Sequence, residues 1–197
     1  MMFDDPSLSP IVEYVDGVLQ EIQCSRACVA ASAILLKVLE RHNYPGVYPL
    51  SVRAEIMNPG MHDYVQRHGR PGREETNAEL QASGAICSGI GHPPGAAWSG
   101  HMGIVIPNRG DGQAFIDMTV GQANVPERGI NLGALCLLVG DDFVAGKQPH
   151  SEMVRGCHLT YTAYPADHGY DTGTNWMKMT GLDRAVQMVF TRMYGDD

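Results

Sequence analysis

Three residues of the chain have the types that nucleophilic catalysis by sulfur needs: Cys28, His101 and Asp117. A thiol attacks a carbonyl carbon only as its thiolate. An imidazole can take the thiol proton, and a carboxylate can hold that imidazole in the required tautomer and orientation. Cys28 opens the run Cys28-Val29-Ala30-Ala31-Ser32-Ala33-Ile34-Leu35-Leu36, which is rich in helix formers and apolar nearly all round. It therefore falls in the first turn of a buried helix, with Ser25 as a plausible N-cap. The unpaired N–H groups and dipole at a helix start favour negative charge there and offer a donor to a tetrahedral oxyanion. Position alone favours a small buried apolar side chain on a core helix, so the other two residues must decide.

His101 and Asp117 lie symmetrically about Arg109, the middle of a Pro/Asn/Gly/Asp turn between two β-prone runs. In the simplest register they face one another on adjacent strands. Their separation is even, so both point to one side of the sheet, with Cβ atoms about 5 Å apart. The alternative is a water-facing Asp on an edge strand. A carboxylate within Phe115-Ile116-Asp117-Met118 argues against it, because burial there costs free energy unless the charge is paired.

Several elements must position these groups. Ser9-Pro10 starts an amphipathic helix carrying Ile11, Tyr14, Val15, Val18, Leu19 and Ile22. The buried helix of Cys28 ends at Asn43-Tyr44-Pro45-Gly46, and residues 47–57 read as a strand stopped by Asn58-Pro59-Gly60. Residues 60–97 are polar and rich in Gly, Pro and Arg, so they read as a loop insertion or lid, with a weak helical pattern near 74–81. Residues 130–139 give a further short strand or helix, and 157–164 alternate like a strand. Residues 176–194 carry Leu182, Ala185, Val186, Val189, Phe190 and Met193 at helical spacing. The fold class is α+β, and 197 residues fit a single domain.

Composition removes several functions. A net charge of -8 without a Lys/Arg run opposes binding to polyphosphate, so no nucleic acid partner is expected. The acidic N-terminus lacks an export pattern and the apolar runs are too short to span a bilayer, so the expectation is a soluble, cytoplasmic protein that does not enter a membrane. Five cysteines without paired CxxC spacing predict neither a disulfide framework nor a zinc site. The histidines form no HExxH or compact ligand group, so neither metal nor other cofactor is expected.

The order and spacing of the motifs carry a resemblance. Cys28-Val29-Ala30-Ala31-Ser32, then Pro49-Leu50-Ser51-Val52, then Trp98-Ser99-Gly100-His101, then Ile116-Asp117-Met118-Thr119-Val120-Gly121-Gln122-Ala123 resemble the transglutaminase-like branch of the papain-like superfamily. The chain is similar to bacterial members with a Cys, W-x-G-H and I-D-x-T-x-x-Q-A pattern, over roughly residues 10–130. The resemblance implies a helix bearing the Cys packed on an antiparallel sheet, with His and Asp on adjacent strands. It assigns Cys28 as nucleophile, His101 as base and Asp117 as orienting carboxylate, acting on an amide or ester through a thioester. Trp98 then walls the acyl pocket or packs in the core, and Gln122 donates a hydrogen bond near the site or satisfies turn backbone. The substrate would be a peptide, a protein or a small amide; oligomeric state stays open. Two other readings remain: acyl transfer like that of arylamine N-acetyltransferases, and a catalytically silent binding protein on the same fold. Cys24, close before Cys28, is a second candidate thiol.

Overall fold

The computed structural model describes residues 6–24, 27–72, 78–91, 100–107, 112–171 and 175–195. Among these, six α-helices form: α1 (Ser9–Glu21), α2 (Cys28–Arg41), α3 (Pro59–His68), α4 (Ala78–Ala82), α5 (Asp141–Val144) and α6 (Leu182–Tyr194). Seven strands accompany them: β1 (Tyr48–Met57), β2 (Cys87–Ile90), β3 (Met102–Ile106), β4 (Gln113–Asp117), β5 (Leu135–Val139), β6 (His150–Val154) and β7 (Cys157–Ala163).

Every strand pair is antiparallel, in the order β5-β4-β3-β1-β7-β6, with β2 also on β1. The long β1 joins two halves. Its first residues, Tyr48 to Ser51, pair with β3, and the rest, Val52 to Met57, pair with β7. Strand alternation then sorts the side chains into two cores. Met102, Ile104, Ile106, Ala114 and Ile116 face the helices and pack with Ala31, Leu35 and Val38 of α2, Val15 and Leu19 of α1, and Val186 and Val189 of α6. Val105 and Phe115 point the other way and pack with Leu50, Val52, Ile56, Leu159 and Tyr161. Phe115 and Tyr161 stand on separate halves of the sheet, yet their rings meet edge to face at 5.1 Å. The sheet therefore curls round this second core.

Helices α1 and α2 begin where the apolar periodicity starts. Pro10 presets φ in the first turn of α1, and α2 is buried from Ala30 to Leu36 because small Ala and Ser residues let it lie close to the sheet. The closing helix is shorter at its start than its apolar spacing predicts: Trp176–Lys178 is a separate 3-10 turn, and Gly181, with φ of +84°, breaks the run before α6.

Residues 60–97 correct the reading of one long loop, since α3, α4 and β2 all fall there. Asn58-Pro59 ends a strand and also starts a helix. The Asn58 side chain accepts a hydrogen bond from Met61 N at 2.9 Å while Pro59 takes the first helical position. Strand β6 and helix α5 are further elements that the hydrophobic pattern does not announce. No helix among the described residues is long and apolar enough to cross a membrane.

Candidate active site

Cys28 is the first residue of α2, with Ala27 at the N-cap and no side chain capping the end; Ser25 lies outside the described residues. The first-turn N–H groups therefore have no intrahelical carbonyl, as helix geometry requires, and no side-chain cap among the described residues. Cys28 is 8% exposed, and its sulfur lies 3.7 Å from the carbonyl oxygen of Gly100. Gly100 has φ of +77°, a conformation that suits glycine.

His101 precedes β3 and has no exposed surface. Its carbonyl accepts from Val52 N at 3.0 Å, which pins the residue to the middle of β1. Its Nε2 lies 2.7 Å from Asp117 Oδ2. Asp117 ends β4 and is likewise fully buried. Its Oδ1 accepts from the backbone N–H of Thr119 at 2.8 Å, and Oδ2 also accepts from the Tyr161 hydroxyl at 2.7 Å. Three donors thus offset the cost of taking one carboxylate out of water.

The pairing of His101 with Asp117 comes from a register different from the simplest one. Ile104 pairs with Ile116 and Val105 with Phe115, so continuing the ladder puts Asp117 across from Gly103 and makes His101 its diagonal neighbour. The offset is two residues, and faces repeat every two, so His101 and Asp117 still share a face. A diagonal pair needs a long side chain to close the gap, which imidazole supplies. Gly103 lies between them for a steric reason: a Cβ there would stand 2.6 Å from both the Ile116 carbonyl and the Phe115 ring.

Burial works against a positive His101, but the Asp117 carboxylate, by charge and by hydrogen bond, and the Cys28 sulfur outweigh it; the pKa is pushed up to about 10. Burial likewise opposes charge on Asp117, yet His101, Tyr161 and the Thr119 N–H hold its pKa below the usual carboxylate value. The imidazole is thus set between the sulfur on one side and the carboxylate on the other.

The structure brings Cys28, His101 and Asp117 to one place. Gln122 follows on a 3-10 turn, and its side-chain nitrogen is buried and makes no hydrogen bond among the described residues. Trp98 lies outside the described residues. Cys24 lines a different feature, a groove of about 480 Å³ shared with Ile34 of α2 and Met188 of α6. None of the five cysteines is in a disulfide.

Tyr161 is the member of this cluster that sequence reasoning missed. A partial signal exists: Tyr161 holds an inward position in the alternating β7, and a buried tyrosine needs a partner for its hydroxyl. The identity of that partner is a tertiary fact, because β7 and β4 are separated by β1 and β3 in the sheet. Among the described residues, no cluster of three or more His, Cys, Asp or Glu side chains could hold a metal. No family model, curated protein or solved structure matches this chain.

Proposed function

We propose that the protein is a thiol-dependent hydrolase or acyltransferase of transglutaminase-like type, built on a papain-like core and acting on an amide or ester bond. The observation that carries this reading is a fully buried His101 held at 2.7 Å by a buried Asp117 and in electrostatic contact with Cys28 at a helix start. A buried imidazole and carboxylate are costly to keep for packing alone. Beside a thiol they have a chemical use.

In this mechanism the proton of the Cys28–His101 pair rests on the imidazole, and the sulfur attacks the substrate carbonyl carbon as its thiolate. The oxygen becomes an anion, for which the first-turn N–H groups of α2 are available donors. As the tetrahedral species collapses, the C–N or C–O bond breaks and His101 gives its proton to the departing amine or alcohol. A thioester on Cys28 remains. Water or an amine then attacks the thioester, His101 takes the incoming proton, and the thiol returns as the acid or the new amide leaves. Asp117 stays ionised and holds the imidazole throughout.

Alkylation by iodoacetamide, mapped to the Cys28 peptide by mass spectrometry across pH, tests the reading. Cys28→Ala should abolish the fast reaction, and His101→Ala should raise the pH at which Cys28 begins to react. Indifference of Cys28 to the loss of His101 would sink the proposal.

A further inference from the structure

The geometry points to Tyr161 as a positioning residue: its hydroxyl fixes the Asp117 carboxylate and draws off part of the charge that this carboxylate presents to His101. The inference rests on the triad reading for its effect on reaction rate, though not for its effect on His101 itself.

Two donors converge on one oxygen. Asp117 Oδ2 accepts from Tyr161 at 2.7 Å and faces His101 Nε2 at 2.7 Å, while Oδ1 is taken by Thr119 N–H. Tyr161 comes from β7, in the other half of the curled sheet, and is fully buried with its ring against Phe115. A phenyl ring would supply the same packing. A hydroxyl in that place is stable only because the carboxylate accepts from it. Among the described residues, the charged and titratable groups facing His101 include Asp117 from β4 and Cys28 from α2, and those facing Asp117 include His101 and Tyr161.

The hydroxyl has two consequences. Together with Thr119 N–H it fixes the rotation of the carboxylate, so Oδ2 stays aimed at the imidazole. By donating to that same oxygen it also tempers the pull of Asp117 on a protonated His101. Removing the hydroxyl while keeping the ring should therefore make the imidazole more basic and its placement less secure.

The test is Tyr161→Phe, with the His101 ring followed by NMR titration and Cys28 alkylation measured in parallel. The His101 midpoint should rise by roughly half to one pH unit, the size expected for one hydrogen bond to a buried charge felt through its neighbour. Alkylation should slow on the order of 5–10-fold, a modest loss within the range of one positioning contact. Phe115→Leu, which disturbs the ring packing but not the hydroxyl, should lower thermal stability and leave the midpoint in place. If Tyr161→Phe does not fold, exchanging the tyrosines for 3-fluorotyrosine, a stronger donor, should move the midpoint down instead. A midpoint unmoved by either change overturns the inference. A midpoint that moves while Cys28 ignores His101→Ala would leave the coupling standing and remove the triad reading.

Discussion

Three donors meet on the Asp117 carboxylate, which has no exposed surface. Asp117→Asn keeps the shape and removes the charge, so His101 loses the group that holds it protonated and in place. Alkylation of Cys28 should fall by ~100-fold or more, while a denaturant titration should show a smaller stability loss than for Asp117→Ala. Truncation to Ala strips a buried pair of one member and costs about 3–5 kcal/mol. At this scale the sequence was informative where a residue type contradicted its surroundings. A carboxylate among Phe115, Ile116 and Met118 must be paired, and His101 was the partner at an even separation. Tyr161 contradicted nothing, because a tyrosine in a strand is ordinary, and its role came into view only with its hydroxyl on Asp117.

At the scale of elements, one turn motif had two meanings. Asn58-Pro59 reads as a strand stop, and it is also the start of α3. The Asn58 side chain ties four backbone groups together: Oδ1 accepts from Met61 N and Ile86 N, and Nδ2 donates to the carbonyls of Gly84 and Arg128. Asn58→Ala removes a helix cap and strands buried polar groups, so it should cost about 2–4 kcal/mol by urea denaturation. Its effect on Cys28 alkylation in the folded protein should be small, since Asn58 contacts none of the three site residues. The β3–β4 hairpin makes a related point about legibility. Its register differs by two residues from the simplest one, yet His101 and Asp117 keep a common face because a strand repeats every two. A shift of one residue would put them on opposite faces.

The whole molecule should carry the signature of the buried pair in its pH dependence. His101 gains affinity for a proton on folding, its pKa rising from 6.5 to about 10, so the folded chain binds more protons than the unfolded one across that interval. Its contribution is complete below pH 6.5 and is lost as pH climbs through about 10. Asp117 acts with the opposite sign: its pKa drops from 3.8, so its contribution is present above that value and lost as pH falls through the folded one. Urea midpoints should therefore decline from pH 6.5 to 10, and His101→Gln should flatten that decline. An unchanged slope in the variant would assign the alkaline loss to other groups.

What the sequence by itself determined is local. Apolar periodicity and the residues that interrupt it located α1, α2, β1, β3, β4 and β7, and put Cys28 at a helix start with His101 and Asp117 on one face of a hairpin. Such features depend on neighbours a few positions apart, and the chain states them directly. Only the tertiary structure decided which strands meet across the curl of the sheet. It alone set the sulfur beside Gly100 and His101, carried the Tyr161 hydroxyl to Asp117, and gave Asn58 its two distant carbonyl partners. Those contacts join residues far apart in the chain, and their energies come from burial and charge in a shared interior that exists only after β1 has brought the two halves of the sheet together.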